Sequence, residues 1–413
     1  MGLLDDIKAR GLLAQCTDTA ALEEAFGKEK LTFYVGFDPT ADSMHIGHLM
    51  PIMLMHWLQE AGHRPIVVLG GGTALIGDPS GKDKTREMLS AEQIKANIEG
   101  MRAQFGRYLN LDDAIVIDNH EWLSAFGYIE FLRDVGKHFS VNRMLTAESM
   151  RLRLERNQGL SFIEFNYHLL QSYDFLELNR RYDCTLQCGG DDQWFNILGG
   201  VDLVRRVTGE TVHALTVPLI TTSTGKKMGK TERGSIWLDP ERCPPYDFYQ
   251  YWINVDDADV GRFLRVYTWL SLEAIAELES KEGAELRQAK QVLAFEATKL
   301  AHGADAAEDA RFVSEVLFAK RQELSVTERE RVVRVLRTSD GFPKAAVSLP
   351  APLVDVLCSP DSGLCKSKGE ARRLISQGGA RIWGQQVRDV EAVLEQEAVV
   401  WAGKKRAALV VKP

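Results

Sequence analysis

Two histidines stand three residues apart in the segment Asp38-Pro-Thr-Ala-Asp-Ser-Met-His45-Ile-Gly-His48-Leu. The segment follows a strand-like run and opens a helix-like run, so the N–H groups of the helix terminus would attract an anion. Residues at this spacing share one face of a helix, and Gly47 between them leaves room for a flat ligand beside the backbone. Two hydrogen-bonded structural histidines would give the same spacing. A zinc-protease motif would need a Glu after the first histidine, so a metal site is set aside.

Two lysines stand in a glycine-punctuated loop, Thr224-Gly-Lys-Lys227-Met-Gly229-Lys230-Thr231. The two glycines enclose three residues where a P-loop needs four, and the segment Gly77-Asp-Pro-Ser-Gly81-Lys82 departs from that motif in the same way. What remains is a loop that presents Lys227 and Lys230, which suits phosphate charge that develops during a reaction. A solvated basic turn is the alternative.

A third set of polar side chains, Tyr167, Gln171 and Asp174, falls at i, i+4 and i+7. We expect a helix here, opened by a capping box of Ser161 and Glu164, and this spacing puts the three on one face. Apolar neighbours flank them, so the sequence predicts a polar spot beside apolar surface. A helix with a hydrated polar face would show the same pattern.

Short apolar strands alternate with helices over roughly the first 240 residues. The predicted strands are residues 31–37, 65–69, 114–117, 184–188 and 215–220, and the predicted helices are 50–61, 90–108 and 161–179. This alternation indicates βαβ units and a doubly wound parallel sheet. Ligands of such sheets bind at the carboxyl ends of the strands, and the histidine and lysine segments each follow a strand.

The rest of the chain divides at two proline-rich points. Pro244-Pro245 precedes a helical pattern without strand runs, and residues 339–352 contain three prolines. We predict a catalytic domain at 1–243, a helical domain at 244–338, a linker at 339–350 and a small module at 351–413. The whole chain has a net charge of -8, but residues 351–413 carry ten Lys and Arg against seven Asp and Glu. A polyanionic partner would therefore dock locally on this last module.

Several classes of protein are excluded by composition. No uncharged apolar run is long enough to span a membrane, and the first residues, MGLLDDIKAR, lack the pattern of a secretory signal. The six cysteines are scattered, so a disulfide framework or a structural zinc site is not expected. We expect a soluble cytoplasmic protein.

The segments H-I-G-H and K-M-G-K-T together resemble the paired signatures of class I aminoacyl-tRNA synthetases; the second departs only at Gly229-Lys230-Thr231, where the general form reads Ser-Lys-Ser. Four further segments resemble bacterial-type tyrosyl-tRNA synthetases: Tyr34-Val-Gly-Phe-Asp38, Gly77-Asp78-Pro-Ser-Gly, Tyr167-His-Leu-Leu-Gln171-Ser-Tyr-Asp174 and Gln187-Cys-Gly-Gly-Asp-Asp192-Gln193-Trp194. The resemblance covers essentially the whole chain. It implies an α/β, Rossmann-like catalytic domain with a doubly wound parallel sheet, then an all-helical domain and a small α+β RNA-binding domain.

The resemblance also implies roles for individual residues. Tyr34 and Asp174 would hold the phenol hydroxyl of tyrosine, and Asp78, Tyr167 and Gln171 its ammonium group, with Gln187 also on the substrate side. The expected catalytic residues are Thr40, His45, His48, Lys227 and Lys230. The expected ATP-binding residues are Gly36, Asp38, Gly47, Lys82, Arg86, Asp192, Gln193, Met228 and Thr231. For the pair Asp191 and Asp192, a metal site is the alternative.

The expected partners follow from the same resemblance. ATP would enter as a substrate with Mg²⁺ and without a metal site built by the protein, L-tyrosine would be the amino acid, and the enzyme would be a homodimer. The basic helix near the C-terminus would bind tRNA through Lys366, Lys368, Arg372 and Arg373. A tryptophanyl-tRNA synthetase, a non-catalytic RNA-binding relative and a small nucleotidyltransferase without a tRNA partner are the alternatives.

Overall fold

The computed structural model describes residues 2–78, 89–156, 159, 161–223, 225, 228, 230–231, 234–281, 283–318 and 324–413. The chain divides into two compact units. The first contains Met1–Leu238 and Gly261–Glu277, and the second contains Asp239–Val260 and Leu278–Pro413. Among the described residues, no helix combines the length and apolar character needed to cross a membrane.

A mostly parallel sheet forms the centre of the first unit. Its strands are β1 (Gln15–Cys16), β2 (Thr32–Phe37), β3 (Arg64–Leu69), β4 (Ile115–Asp118), β5 (Cys184–Gly190) and β6 (His213–Val217), in the order β1-β6-β5-β2-β3-β4. The pairs β2–β3, β3–β4, β2–β5 and β5–β6 are parallel, whereas β1 is antiparallel to β6. The predicted doubly wound sheet is confirmed.

The strand order reverses between β2 and β5, because the chain adds β3 and β4 on one side and β6 on the other. In open α/β sheets such a point leaves a crevice at the carboxyl ends of the strands. Paired residues on neighbouring strands point to the same face of a sheet, and Tyr34 of β2 is paired with Gln187 of β5. The topology therefore brings two predicted site residues together from distant parts of the sequence.

Helices and a short hairpin complete the first unit. The helices are α1 (Leu3–Ala9), α2 (Thr19–Lys28), α3 (Ile46–Glu60), α4 (Gly71–Ala74), α5 (Ala91–Phe105), α6 (His120–Leu123), α7 (Tyr128–Asp134), α8 (Val141–Met144), α9 (Glu148–Glu155), α10 (Phe162–Tyr182) and α11 (Trp194–Thr208). The hairpin strands are β7 (Lys230–Thr231) and β8 (Gly234–Ser235). The helix α3 is buried along most of its length, so its N-terminus at the crevice is fixed by the core.

Two details of the sequence prediction are wrong. Ser161 is the N-cap residue of α10, but its side chain makes no capping hydrogen bond. The reciprocal bond of a capping box is also excluded, because the Glu164 carboxylate forms a buried ion pair with Arg153 at 2.9 Å. The strand β6 ends at Val217 rather than at residue 220, since Pro218 follows it and has no N–H to continue the ladder. By contrast, the predicted capping box of Ser90 and Gln93 is present at α5.

The second unit begins with helices and ends with strands. Its helices are α12 (Pro245–Ile253), α15 (Leu286–His302), α16 (Ala304–Phe318), α17 (Val326–Thr338), α18 (Leu353–Leu357) and α19 (Lys368–Ser376), while α13 (Val260–Tyr267) and α14 (Leu272–Glu279) lie mainly in the first unit. The strands are β9 (Lys344–Ala346), β10 (Ala351–Pro352), β11 (Ala380–Ile382), β12 (Gln385–Val387), β13 (Val393–Leu394), β14 (Ala398–Ala402) and β15 (Arg406–Val411). Five of them form a sheet in the order β12-β11-β14-β15-β9, and β10 pairs with β13. The predicted helical stretch and the predicted α+β module are both confirmed.

Candidate active site

A cavity of about 460 Å³ opens at the carboxyl ends of β2, β5 and β6 in the first unit. Most of the site residues predicted from sequence line it: Tyr34, Gly36, Asp38, Thr40, His45, Gly47, His48, Asp78, Tyr167, Gln171, Asp174, Gln187, Asp192, Gln193 and Met228. The sheet therefore gathers residues from widely separated segments around one space. Their individual roles stay predictions.

The remaining predicted residues are elsewhere. Lys82, Arg86 and Lys227 lie outside the described residues. Lys230 and Thr231 form β7, of which the structure describes the backbone. The four predicted RNA-binding residues are exposed at or beside α19 in the second unit: Lys366, Lys368, Arg372 and Arg373.

The two histidines build the N-terminus of α3. His45 is the N-cap residue, and its Nδ1 accepts the N–H of Gly47 at 3.0 Å. The Nδ1 of His48 accepts the backbone N–H of His45 at 3.2 Å, which completes a capping box. The two rings stack at 3.9 Å between centroids. Both Nδ1 atoms act as acceptors, so each neutral ring carries its proton on Nε2 and can donate from there to an anion.

Gly47 makes room for the ring of His45. A Cβ at this position would lie 2.8 Å from Cε1 of His45, so only glycine lets the His45 ring fold back over the helix terminus. The missing side chain therefore makes room first for a histidine of the protein. Gly47 also lines the cavity, as the sequence predicted.

Asp174 lies at the buried end of the cavity. Its Oδ1 accepts the indole N–H of Trp122 at 2.8 Å, and its Oδ2 accepts the amide of Asn119 at 3.0 Å. Burial raises the pKa of Asp174 to about 7, although these two hydrogen bonds lower it. The carboxyl group is thus held near the balance between its charged and neutral forms at neutral pH.

Three buried polar atoms of residues that line the cavity find no hydrogen-bond partner among the described residues. They are the hydroxyl of Tyr34 and the Oε1 atoms of Gln171 and Gln187. Burial, followed by the charge of Asp174, raises the pKa of Tyr34 well above its usual value, so the Tyr34 hydroxyl keeps its proton. Unpaired buried polar groups are costly, and a cluster of them beside a cavity indicates a place where a polar ligand binds.

Asp38 directly follows the carboxyl end of β2, and two hydrogen bonds fix its side chain. The hydroxyl of Thr73 donates to its Oδ1 at 2.8 Å, and the hydroxyl of Tyr167 donates to its Oδ2 at 3.0 Å. A Cβ on Gly70 would lie 2.2 Å from Asp38 Oδ1, which explains a glycine directly after β3. Tyr167 therefore points its hydroxyl to the carboxylate that the sequence assigned to the ATP side.

A short 3-10 turn, Asp191–Gln193, connects β5 with α11. The amide nitrogen of Gln193 donates to Asp78 Oδ2 at 2.8 Å. Two residues predicted for different ligands, Asp78 and Gln193, are thus in direct contact. No group of three or more His, Cys, Asp or Glu side chains suited to a metal ion is found among the residues that the structure describes.

Sequence reasoning missed three residues of this site: Thr73, Asn119 and Trp122. Asn119 follows the carboxyl end of β4, where a polar residue after a buried strand could have been noticed. Its side chain also accepts the N–H of Gly72 at 2.8 Å and donates to Thr73, so its orientation is fixed. Trp122, only 3% exposed, gives no signal in the sequence, because a buried tryptophan is usually a core residue.

The fold and the position of the cavity define a class, the α/β proteins that bind their ligands where the strand order of a parallel sheet reverses. Within that class the chain belongs to the tRNA synthetases class I (W and Y), the family whose model matches residues 27–319. The match covers the parallel strands β2 to β6, the residues that line the cavity and the helices from α3 to α16.

Curated relatives match over nearly the whole chain. A tyrosine–tRNA ligase of Clostridium botulinum (strain 657 / Type Ba4) is 48% identical over 408 residues, which cover 98% of this chain and 96% of that protein. A tyrosine–tRNA ligase of Desulfosudis oleivorans is 47% identical over 437 residues, which cover 100% of this chain and 99% of the relative.

Solved structures agree on the fold. A C-terminally truncated mitochondrial tyrosyl-tRNA synthetase of Aspergillus nidulans has a TM-score of 0.70 at 30% identity, covering 77% of this chain and 94% of its own. A tryptophanyl-tRNA synthetase of Encephalitozoon cuniculi bound to tryptophan has a TM-score of 0.55 at 14% identity, covering 74% and 86%. The second likeness concerns the fold alone.

Proposed function

We propose that this chain is a tyrosine–tRNA ligase, which activates L-tyrosine with ATP to tyrosyl-adenylate and pyrophosphate and then transfers the tyrosyl group to the 3′ end of its tRNA. The observation that carries the proposal is the buried carboxyl group of Asp174 near the hydroxyl of Tyr34, which has no hydrogen-bond partner among the described residues. The names of the curated relatives point to the same activity.

The polar end of the cavity suits a phenol. Asp174 offers a carboxylate oxygen to the phenol O–H, and Tyr34 offers its own O–H to the phenol oxygen. A phenylalanine ring would leave the buried hydroxyl of Tyr34 without an acceptor and would donate nothing to Asp174, which makes its binding unfavourable. An indole N–H can only donate, so tryptophan would leave the Tyr34 hydroxyl unpaired.

Other polar groups of the cavity suit the rest of the amino acid. We assign the ammonium group of tyrosine to Asp78, Tyr167 and Gln171, with Gln187 beside them. Gln171 Oε1 is an acceptor without a partner among the described residues, which fits an ammonium donor. Tyr167 orients Asp38 through its hydroxyl and so links the tyrosine side of the cavity to the ATP side.

The reaction needs positioning and charge stabilisation rather than a covalent nucleophile of the protein. The carboxylate of tyrosine attacks the α-phosphorus of ATP, the bond to the β-phosphate oxygen breaks, and pyrophosphate leaves with the electron pair. We propose that the Nε2–H groups of His45 and His48 at the terminus of α3 donate to phosphate oxygens, together with Thr40, Lys227 and Lys230.

The nucleotide would lie along the mouths of β2 and β5. We assign Gly36, Asp38, Gly47, Asp192, Gln193, Met228 and Thr231 to it, with Lys82 and Arg86 on the pyrophosphate side. Two of the carboxylates here, Asp38 and Asp78, already accept hydrogen bonds from side chains of the protein. The cavity therefore fits a Mg²⁺ ion that is held chiefly by phosphate oxygens and water.

The tRNA would be recognised in part by the C-terminal module. We keep the functional boundaries 1–243, 244–338 and 351–413, joined by the linker 339–350. The helix α19 is capped by Ser367 and exposes Arg372 and Arg373, while Lys368 pairs with Asp355 at 2.6 Å. Exposed arginines on one helix suit phosphate contacts.

A charge-reversal pair tests this surface. Arg372→Glu combined with Arg373→Glu should raise the KM for tRNA strongly and reduce its dependence on salt, because phosphate contacts release counterions. Pyrophosphate exchange, which needs no tRNA, should not change. The matched variant with lysine at both positions should keep most of the tRNA affinity, and an equal loss in both variants would argue against phosphate contacts.

We also propose that the enzyme is a cytoplasmic homodimer. More than half of the exposed large apolar side chains among the described residues fall between 128 and 163, including Tyr128 at 65%, Ile129 at 73% and Phe162 at 66% exposure. Such a concentration marks an interaction surface. Sedimentation of the protein and of an Ile129→Asp variant tests the proposal: we expect a dimer that the variant weakens, and a monomeric parent protein would refute it.

Amino-acid-dependent exchange of labelled pyrophosphate into ATP, without tRNA, tests the central proposal. Tyrosine, tryptophan and phenylalanine are compared in parallel on folded protein. We expect exchange with tyrosine alone. Exchange with tryptophan would overturn the assignment of Tyr34 and Asp174, and no exchange with any of the three would favour a non-catalytic RNA-binding protein.

A further inference from the structure

The turn Asp191–Gln193 carries Asp192 and Gln193 into the cavity, yet it is only three residues long. A short turn between a strand and a helix cannot by itself hold two side chains to the precision that catalysis needs. In this structure both ends of the turn are tied by side chains from other elements.

The first tie holds Asp191. Its Oδ1 accepts the side-chain amide of Gln15 at 2.7 Å and the hydroxyl of Thr216 at 2.9 Å. The hydroxyl of Thr216 in turn accepts the backbone N–H of Gln15 at 3.2 Å, and the two residues are paired between β1 and β6. The edge strand β1 thus brings a donor from the beginning of the chain to the residue that precedes Asp192.

The second tie holds Gln193. Its Oε1 accepts the amide nitrogen of Asn196 at 3.2 Å, and the Oδ1 of Asn196 lies 3.2 Å from Nδ1 of His168. Because Gln193 donates to Asp78, a chain of three hydrogen bonds runs from His168 through Asn196 and Gln193 to Asp78.

Each hydrogen bond between His168 and Asp78 has a defined donor and acceptor. Gln193 presents its NH₂ group to Asp78 Oδ2 and its oxygen to Asn196. Asn196 must then present its oxygen to His168, and His168 must donate from Nδ1. Burial lowers the pKa of His168 to about 4, so at neutral pH this is the neutral ring with its proton on Nδ1.

The ring of His168 is confined on several sides. Its centroid lies 4.6 Å from that of Phe195 and 5.4 Å from that of Phe139. A Cβ on Gly199 of α11 would lie 2.3 Å from its Cε1, so the glycine lets α10 and α11 approach closely enough for the hydrogen bond to Asn196. The donor is therefore held in one place.

We propose that His168 and Gln15 are positioning residues for the two sides of the reaction. Through Gln193, which is itself assigned to the nucleotide, His168 orients Asp78 on the tyrosine side; Gln15 orients Asp191 and its neighbour Asp192 on the ATP side. The inference rests on the proposed function, since it takes Asp78 as a partner of the tyrosine ammonium group and Asp192 as a partner of ATP.

The test separates the two Michaelis constants in pyrophosphate exchange. His168→Met fills the volume of the ring without a donor. We expect the KM for tyrosine to rise about 3- to 10-fold, the effect of one hydrogen bond, and the KM for ATP to rise less, by about 2-fold at most, through Gln193. His168→Asn places an amide nitrogen where Nδ1 lies and should restore the KM for tyrosine to within about 2-fold of the parent value.

The ATP side is tested with a matched set. Gln15→Met removes the donor at similar shape, and the KM for ATP should rise about 3- to 10-fold with little change for tyrosine. Thr216→Val provides a second variant with the same expected direction. Gln59→Met is the control, because it removes the hydrogen bonds of Gln59 with Asn110 near the far end of α3, and both constants should stay unchanged.

The results separate a failure of the positioning roles from a failure of the proposed function. Thermal melting of each variant shows that it is folded. The positioning roles alone are overturned if the parent protein exchanges with tyrosine but His168→Met and Gln15→Met both raise the same KM, or raise neither the KM for tyrosine nor the KM for ATP. His168→Asn performing no better than His168→Met overturns the role of the donor. A parent protein without tyrosine-dependent exchange overturns both the proposed function and this inference.

Discussion

Trp122→Phe removes one N–H group from the buried end of the cavity and leaves an aromatic ring in place. The lost group donates to Asp174 Oδ1 at 2.8 Å, and Asn119 remains as a donor to the other oxygen at 3.0 Å. Burial raises the pKa of Asp174 to about 7, against the effect of these two hydrogen bonds. Without one of these hydrogen bonds, the pKa of Asp174 rises further and more of the carboxyl group is protonated.

The size of the effect follows from this balance. A hydrogen bond to a charged group contributes about 1.5 to 3 kcal/mol, and one pKa unit corresponds to about 1.4 kcal/mol, so the pKa of Asp174 should rise by about 1 to 2 units. At pH 7 the ionised fraction then falls from about one half to between one tenth and one hundredth. The phenol O–H needs the ionised acceptor, so the KM for tyrosine should rise about 5- to 50-fold.

The assay is pyrophosphate exchange at a series of pH values from about 6.5 to 9.5. Raising the pH ionises Asp174 in the variant as well, because a carboxyl group with a raised pKa loses its proton only above that value. The ratio of the two KM values should therefore shrink to about 2-fold at the alkaline end. Taking the ratio at each pH cancels the titration of tyrosine itself.

Trp57→Phe is the matched control. The indole N–H of Trp57 is buried and has no hydrogen-bond partner among the described residues, so the same chemical change removes no hydrogen bond. We expect no change in the KM for tyrosine. A constant ratio for Trp122→Phe across the whole pH range, or an equal effect of Trp57→Phe, would refute the assignment of Asp174 as the acceptor of the phenol hydroxyl.

Three further predictions concern the phenol, the phosphates and the helix packing. Tyr34→Phe should raise the KM for tyrosine about 3- to 10-fold in the exchange assay and leave the KM for ATP unchanged, because only the bound tyrosine loses a hydrogen bond. His45→Asn keeps an N-cap acceptor for α3 but has no Nε2, so melting should show a stable protein while kcat for exchange falls at unchanged KM for tyrosine; equal losses in both would contradict a role at the transition state. Gly199→Ala should lower the unfolding midpoint in urea, because its Cβ would lie 2.3 Å from a ring carbon of His168. The control Gly27→Ala in α2 meets nothing within 4 Å and should stabilise the protein by about 0.5 to 1 kcal/mol. Destabilisation of similar size in both variants would contradict the packing argument.

Local patterns gave reliable predictions wherever one element carried the information. The helical period placed Tyr167, Gln171 and Asp174 on one face of α10, and all three line the cavity. The alternation of strands and helices predicted a doubly wound sheet, and the rule for such sheets predicted a site at the strand ends. The start of α10 at Ser161 was predicted correctly, but the capping box was not, because a tertiary ion pair with Arg153 holds the side chain of Glu164.

The sequence by itself determined the class of fold, the family and the set of residue types that meet at the cavity, because these depend on short periods and on motifs within single segments. Only the tertiary structure decided which side chains hold those residues in place. Asn119 and Trp122 reach Asp174 across 55 and 52 residues of sequence, and Gln15 reaches Asp191 across 176. Such contacts depend on the order of strands in the sheet and on the close approach of helices, and no periodicity within one segment records either of them.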